Sequence, residues 1–138
     1  MKKEPDQTGG AELRLTIPGP PVPMARPRVS RHGGVFTSAK QRAHRKTLAA
    51  FLTGAAKANG WKLGYRGPLE LEIVCVFERA KSNKTTHHTQ RPDASNLAKL
   101  IEDTANGILW HDDSQVIDLR VRKIWGIPAR TEVNVRQI

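Results

Sequence analysis

The sequence predicts an α/β (mixed α+β) fold, a single domain in which two main helices pack on one mixed sheet. Stretches that alternate apolar and polar residues, the two-residue period of strands, are interspersed with two stretches that follow the helical period. A chain of 138 residues is also long enough for one hydrophobic core and short for two. Residues 1–10 are polar and end in Gly-Gly, so we expect a disordered tail there and the domain in residues 11–138.

The first half of the chain is predicted to contain a strand, a stiff extended segment and a long helix. Residues 12–17 alternate as in a strand with one buried side. Five prolines in residues 18–28 exclude a helix or a central strand, and residues 35–37 are expected to close a short hairpin. Ser38 is a good N-cap for a helix that ends near Ala58. The core stripe expected for this helix is Leu48, Phe51, Leu52 and Ala55.

Three more strands and a second helix are predicted in the second half. Residues 68–77 form a strand whose apolar residues on both faces are typical of a central position in a sheet. Residues 94–106 follow the helical period, and residues 116–125 and 131–138 alternate as strands. In the strand of residues 116–125, the side chains expected to face inward are Ile117, Leu119 and Val121.

The charge of the chain predicts a polyanionic partner. The formal net charge is +10, and residues 1–66 carry 13 basic side chains against 3 acidic ones. Such an excess indicates nucleic acid as the partner, with a solvated basic surface as the alternative. Cations in the first turns of a helix oppose its dipole, so a phosphate contact explains them better than local stability does. The candidate DNA-binding residues are Arg26, Arg28, Arg31, Lys40, Arg42, Arg45, Lys46 and Arg91.

Cys75 is the lone cysteine of the chain and falls in an apolar, strand-like run. We expect a buried structural thiol, because a single cysteine forms no internal disulfide and no thiolate metal site. No apolar run approaches the length of a membrane span, and no signal-peptide pattern opens the sequence. We therefore expect a cytoplasmic protein without a membrane partner.

Acidic residues gather in residues 91–123, which hold five of the six aspartates of this basic protein. Ser95, Lys99 and Glu102 are spaced to share one face of the second helix, and Asp93 precedes it. The pair Asp112-Asp113 lies before the next strand, which could return it to this face. Carboxylates beside basic residues suggest a cation held by oxygen ligands and used in phosphate chemistry.

Each of these residues also has a simpler interpretation. Asp93 is placed to cap the helix, and Lys99 and Asp103 are spaced as a surface ion pair. Asp112-Asp113 has the composition of a turn. The pattern by itself predicts only a basic α/β domain and leaves its dependence on a metal open.

Three motifs carry a resemblance to a known family. They are RPDxxNLxKxxxDxxNGxxxxDDSQV in residues 91–116, IPGPPVPMARPR in residues 17–28 and FTSAKQRAHR in residues 36–45. Together they resemble the RusA family of Holliday-junction resolvases, and the similarity runs from about Leu13 to Ile138. The resemblance implies a RusA-like endonuclease domain in a homodimer that depends on Mg²⁺, for which Mn²⁺ can substitute. Such enzymes, of phage or prophage origin, place paired nicks across four-way DNA junctions in recombination and repair.

The resemblance also assigns roles to residues. It implies Asp93, Lys99 and Asp113 as catalytic residues, and Asp93, Asp113 and the neighbouring Asp112 as metal ligands. Lys99 would neutralise charge that develops on the phosphate or orient the attacking water.

One family residue is missing, because Ser95 stands where the family has a second aspartate. We hypothesise that Glu102 supplies the lost carboxylate as a metal ligand, with a solvated glutamate as the alternative. The departure also leaves open a catalytically weakened or inactive protein that binds branched DNA. A basic RNA-binding protein would explain the charge but not the acidic residues.

Overall fold

The structure of the chain, a computed structural model, describes residues 10–25 and 28–138. The predicted tail lies outside these residues except for Gly10, whose amide donates a hydrogen bond to the Gln137 carbonyl at 3.1 Å. The chain forms β1 (Glu12–Pro18), β2 (Arg28–Val29), β3 (Val35–Phe36), α1 (Ala39–Ala58), β4 (Leu69–Phe77), α2 (Ala94–Ala105), β5 (Val116–Trp125) and β6 (Arg130–Gln137). A single turn of 3-10 helix, Asp113–Gln115, precedes β5. The predicted fold class is confirmed, because two helices accompany one mixed sheet in a single domain.

The main sheet has the strand order β1-β6-β4-β5. β6 pairs antiparallel with both β1 and β4, whereas β4 and β5 are parallel. Parallel neighbours need a crossover connection, and α2 lies in the segment that provides it. β4 is central, as its two apolar faces predicted, and β2 and β3 form a separate small hairpin.

α1 begins and ends where its capping residues predicted. The Ser38 hydroxyl accepts a hydrogen bond from the Gln41 amide at 3.2 Å at the start of α1. At its end, Asn59 is the C-cap and Gly60 adopts a positive φ of 72°, a conformation that favours glycine.

The core lies between the sheet and the two helices. Its largest fully buried members include Trp110, and Trp61 beside it donates from Nε1 to the Leu109 carbonyl at 2.9 Å. Trp110 Nε1 donates to Asn106 Oδ1 at 2.7 Å, which satisfies the one polar atom of this buried ring. The turn between α2 and β5 is therefore fixed from inside the core.

Two predictions of buried residues were wrong. Phe51 is 36% exposed, because the buried stripe of α1 runs through Leu48, Leu52 and Ala56 and leaves it at the margin. Ile117 and Leu119 are also exposed, because β5 is at the edge of the sheet and a bulge interrupts its pairing with β4 near Ile117. Val121 packs against the core as predicted, although it is only partly buried.

The sheet face opposite the helices carries paired charges. The ion pairs are Arg14–Glu12, Arg120–Glu72, Arg130–Glu132 and Arg136–Glu70. An open depression of about 410 Å³ lies on this face, lined in part by Glu72, Glu132 and Asn134. Within residues 10–25 and 28–138, no helix has the length and apolar character needed to cross a bilayer.

Candidate active site

Asp93 occupies the N-cap position of α2 with extended backbone angles. Among the described residues, however, its side chain accepts no capping hydrogen bond, and the residue is exposed. Its carboxylate lines an open cleft of about 480 Å³, together with Arg91 and Asn96. The simple capping interpretation of Asp93 is therefore not realised in this structure.

Lys123 in β5 holds the backbone just before Asp93. Its Nζ donates to the carbonyl oxygens of Gln90 at 2.8 Å and Pro92 at 2.9 Å. The half-buried ammonium thus ties the end of the loop of residues 78–92 to the end of β5. These contacts fix where α2 begins and where the Asp93 side chain leaves the backbone.

The proline-rich segment connects the starts of the two helices. The Met24 amide donates to the Asn96 carbonyl at 2.9 Å, and the Ala25 amide donates to Oε1 of Gln41. Gln41 is a buried polar residue in the first turn of α1. The basic first turns of α1 and the start of α2 are therefore linked through this segment, which forms one wall of the Asp93 cleft.

The adjacent acids Asp112 and Asp113 have different surroundings. The Asp112 carboxylate accepts a hydrogen bond from the Ser114 amide at 3.0 Å, and its own amide donates to Gln115 Oε1 at 2.8 Å. This reciprocal arrangement is a capping box, and the bonds to Ser114 lower the pKa of Asp112. Asp112 is thus occupied in holding the 3-10 turn, which favours Asp113 as the acid available to a ligand.

Gln115 anchors this turn to the loop before β4. Its Nε2 donates to the carbonyl oxygens of Tyr65 and Gly67, both at 2.8 Å. The His111 amide also donates to the Tyr65 carbonyl at 3.0 Å. The segment carrying the two acids is therefore fixed at both ends.

Glu102, on α2, interacts electrostatically with Asp113. Burial raises the pKa of Glu102, and the negative charges of Asp113 and Asp103 raise it further, while Lys99 acts in the opposite direction. Two carboxylates that share a partly buried site resist simultaneous ionisation. The sequence prediction that Glu102 and an acid of the 112–113 pair lie on one side of α2 agrees with this coupling.

Lys99 and Ser95 are exposed on α2. Within the described part of the chain, Lys99 forms no ion pair with Asp103, so the predicted alternative of a surface pair is not seen. Instead, the positive charge of Lys99 acts to lower the pKa of Glu102. A cation beside two coupled carboxylates is an arrangement suited to phosphate chemistry.

Glu102 and Asp113 both carry the hard oxygen donors that divalent cations prefer, and the negative charge of Asp113 acts on Glu102. Asp93 is separated from Glu102 along the helix. It lies nine residues from Glu102 along α2, which corresponds to about 14 Å of helical rise. No three acidic, histidine or cysteine side chains among residues 10–25 and 28–138 are grouped to hold one metal ion.

The structure describes the positions of most of the candidate DNA-binding residues. Arg31 is in the turn between β2 and β3, Arg91 lines the Asp93 cleft, and Lys40, Arg42 and Lys46 are exposed on α1. Arg45, also on α1, is half-buried, whereas Arg26 lies outside the described residues and only the backbone of Arg28 is described. Their contact with DNA remains a prediction.

Sequence reasoning missed the role of His88. It is buried and stacks on Phe77 at 4.1 Å and near Trp125 at 4.6 Å between ring centroids. Arg79 covers the same Trp125 ring at 5.4 Å. This cluster attaches the loop of residues 78–90 to the ends of β4 and β5. An adjacent His87-His88 pair in a polar loop gives no periodic signal that could have revealed it.

A basic domain with coupled carboxylates beside a lysine is typical of the class of metal-dependent nucleases. The comparison with known families agrees with this class. Residues 18–136 match the family described as endodeoxyribonuclease RusA, and the chain belongs to that family. It is also similar to "Uncharacterized protein YqaN" of Bacillus subtilis (strain 168), with 27% identity over 139 residues that cover 91% of this chain and 96% of that protein.

Proposed function

We propose that this protein is a Mg²⁺-dependent endonuclease that resolves four-way DNA junctions by paired nicks in recombination and repair. The observation that carries the proposal is that the chain belongs to the RusA family and keeps Asp93, Lys99 and Asp113. When bound, Mg²⁺, or Mn²⁺ in its place, would supply Lewis acidity and activate water for attack on the phosphodiester. The protein itself would be of phage or prophage origin and would act in the cytoplasm.

The proposed roles follow from where the side chains lie. Glu102 and Asp113 would hold the cation, and Asp93 would supply a further carboxylate. Lys99 would stabilise charge that develops on the phosphate, and its loss would slow cutting by about 10²-fold. Asp112 remains a proposed metal ligand, but it is less favoured than Asp113 because its carboxylate already caps the 3-10 turn.

The DNA-binding surface is proposed to lie on the side of the molecule that carries α1 and the proline-rich segment. Four arginines of the open sheet face, Arg14, Arg120, Arg130 and Arg136, have acidic partners. Lys40, Arg42 and Lys46 form no ion pair with the residues that the structure describes, so they are available for phosphate. This difference favours the α1 side as the DNA-binding surface.

Ser95 favours a second candidate function, a weakened or inactive protein that binds branched DNA. The serine stands exposed on the first turn of α2, where the family resemblance implies a carboxylate. The variant Ser95→Asp tests this alternative. A large gain in cutting by Ser95→Asp over a nearly inactive wild type would support it.

The proposed function is tested by nicking of a labelled four-way junction, with a linear duplex of the same sequence as the control substrate. We expect Mg²⁺-dependent paired cuts in the junction alone. Asp93→Asn and Asp113→Asn should abolish cutting while junction binding in a gel-shift assay is kept. Equal cutting of junction and duplex, or full activity in both variants, would contradict the proposal.

A further inference from the structure

The small hairpin of β2 and β3 is exposed along most of its length. Val29 in β2 pairs directly with Val35 in β3, so their side chains lie on the same face of the hairpin. Val29 is 70% exposed and Val35 is 69% exposed, and residues 31–34 of the connecting turn are exposed as well. The hairpin therefore presents a pair of apolar side chains to solvent.

The turn of this hairpin has a defined shape. The Gly33 amide donates to the Ser30 carbonyl at 3.0 Å, and the Gly34 amide donates to the Ser30 hydroxyl at 2.9 Å. Gly33 has a positive φ of 88°, which the common three-residue hairpin loop requires at its last position. These bonds keep the two strands, and with them the two valines, in register.

The base of the hairpin is attached to α1 next to the cleft of the candidate active site. Before the hairpin, the Ala25 amide donates to the Gln41 side chain, and after it the Arg42 side chain donates to the Thr37 carbonyl. Met24, the neighbour of Ala25, lines the cleft. The valine pair consequently belongs to the side of the molecule that carries the candidate active site.

The segment around the valine pair is basic and free of acidic residues. Residues 13–69 contain no Asp or Glu, and Arg31 lies in the turn of the hairpin itself. An apolar pair in such a segment fits a partner that offers an apolar surface flanked by negative charge. A second copy of this chain does not fit, because it would bring the same basic segment against itself.

We propose that the valine pair binds the branch point of a four-way junction, where Val29 and Val35 pack on the face of a base pair. Inside a duplex such faces are covered by stacking, and they become accessible where the arms meet. Proteins unstack DNA by inserting apolar side chains at a base step, while basic residues bind the flanking phosphates. The inference rests on the proposed junction substrate, but it requires neither a metal ion nor cutting.

A simpler interpretation is that the two valines only stabilise the hairpin. β-branched pairs across two strands have this effect, and a two-stranded hairpin is marginally stable without further packing. Threonine separates the two roles, because it keeps the branched shape and strand preference of valine but replaces a methyl group by a hydroxyl. The double variant Val29→Thr/Val35→Thr therefore keeps the hairpin and loses its apolar surface.

Binding is measured without divalent metal, on a four-way junction and on a linear duplex of the same sequence. We expect the wild type to prefer the junction, and Val29→Thr/Val35→Thr to lose about 10-fold of this preference while its duplex affinity is unchanged. Val29→Ile/Val35→Ile keeps an apolar surface and should keep the preference. The control Ile127→Thr makes the same kind of change at a residue that is 83% exposed in the turn between β5 and β6, and it should behave as the wild type. An equal loss in the threonine and isoleucine variants would overturn the proposal.

A fluorescent adenine analogue, whose emission is quenched by stacking, reports the contact directly. It is placed in the base pair next to the branch point, and in a control junction it is placed in the middle of an arm. We expect the wild type to raise the emission at the branch point several-fold and to leave the control unchanged. Val29→Thr/Val35→Thr should leave both junctions at the level of free DNA. An unchanged junction preference or an unchanged emission in this variant would overturn the proposal.

Two further outcomes separate this inference from other roles of the hairpin and from the proposed function. If light scattering gives Val29→Thr/Val35→Thr a lower mass than the wild type, the valine pair is a contact between copies of the chain and the proposal is overturned. A wild type that never nicks junctions but raises the emission at the branch point would reject the proposed function and keep the inference. A wild type that nicks junctions without raising this emission would reject the inference alone.

Discussion

The Nζ of Lys123 in β5 lies 2.9 Å from the carbonyl oxygen of Pro92, to which it donates a hydrogen bond. Lys123 belongs to the edge strand, and Pro92 immediately precedes Asp93. A hydrogen bond from a charged donor is stronger than one between neutral groups. The contact therefore positions a candidate metal ligand from an element far away in sequence.

We predict that Lys123→Met slows junction nicking by about 10-fold or more, because a small displacement of Asp93 disturbs the site geometry. Junction affinity at low salt and the thermal midpoint should change little, and Lys123→Arg should restore part of the rate. The turnover rate and the dissociation constant are measured separately. An equal loss of stability and activity in Lys123→Met, without rescue by arginine, would indicate a purely structural role.

We predict that Glu102→Gln stabilises the metal-free protein at neutral pH. Burial, Asp113 and Asp103 raise the pKa of Glu102 from its ordinary value of 4.5, so the folded state binds this proton more tightly than the unfolded state. Stability is therefore lost as the pH rises from about 4.5 through the folded pKa, and glutamine removes this loss. Thermal unfolding at pH 4 and pH 7.5 should show the gain only at the higher pH.

The same variant should lose the thermal stabilisation that Mg²⁺ gives the wild type, because a ligand stabilises the state that binds it. Asp103→Asn is the matched control, as it removes a nearby charge from the same helix without removing a proposed ligand. If Mg²⁺ stabilises Glu102→Gln and the wild type equally, the assignment of Glu102 as a ligand is wrong.

The two adjacent acids should respond in opposite ways to alanine. Asp112→Ala removes the cap of the 3-10 turn and should lower the stability of the protein while leaving most cutting. Asp113→Ala should abolish cutting without loss of stability, since it relieves repulsion with Glu102. Chemical denaturation and junction nicking on the same preparations measure both effects. The reverse pattern would assign the metal to Asp112.

The sequence predicted the elements well because their signals are local. Ser38 and Asn59-Gly60 mark the ends of α1, and prolines mark the extended segment, without reference to the rest of the chain. The burial of Ile117 and Leu119 was predicted wrongly because alternation shows which face a residue takes but not whether its strand is at an edge. Strand order depends on contacts between distant residues, which periodicity does not contain.

For the candidate site, the sequence named acidic and basic side chains but not the residues that hold the backbone around them. The resemblance identified Asp93, Lys99 and Asp113, and helical spacing placed Glu102 on the same polar side. The contacts that Lys123, Gln41 and Gln115 make with backbone groups at least 16 residues away along the chain were missed. A side chain that holds a distant carbonyl leaves no pattern in its own neighbourhood.

We predict that the cations of α1 set the salt dependence of DNA binding. For six or more phosphate contacts, the slope of log K against log salt should be roughly −5 or steeper. The combined variant Lys40→Ala, Arg42→Ala and Lys46→Ala should reduce that slope by about 3. Its control, Arg14→Ala, Arg130→Ala and Arg136→Ala, loses the same charge from the paired sheet face and should keep the slope. Equal changes in both variants would indicate a general charge effect.

Finally, His88 should make the protein less stable in mild acid. Burial lowers the pKa of His88 below its ordinary value of 6.5, and the positive charge of Lys123 lowers it further. The unfolded chain therefore takes up this proton first, and stability falls as the pH drops below about 6.5. A contact with its own backbone acts in the opposite direction but does not reverse the lowering of the pKa. His88→Phe keeps an aromatic ring between Phe77 and Trp125 but cannot be protonated, so its thermal midpoint should vary less than that of the wild type between pH 7.5 and pH 5.5. The exposed neighbour provides the control, His87→Gln, which should follow the wild type. A wild-type midpoint that falls no more steeply than that of His88→Phe would show that protonation of His88 does not limit the stability of this loop.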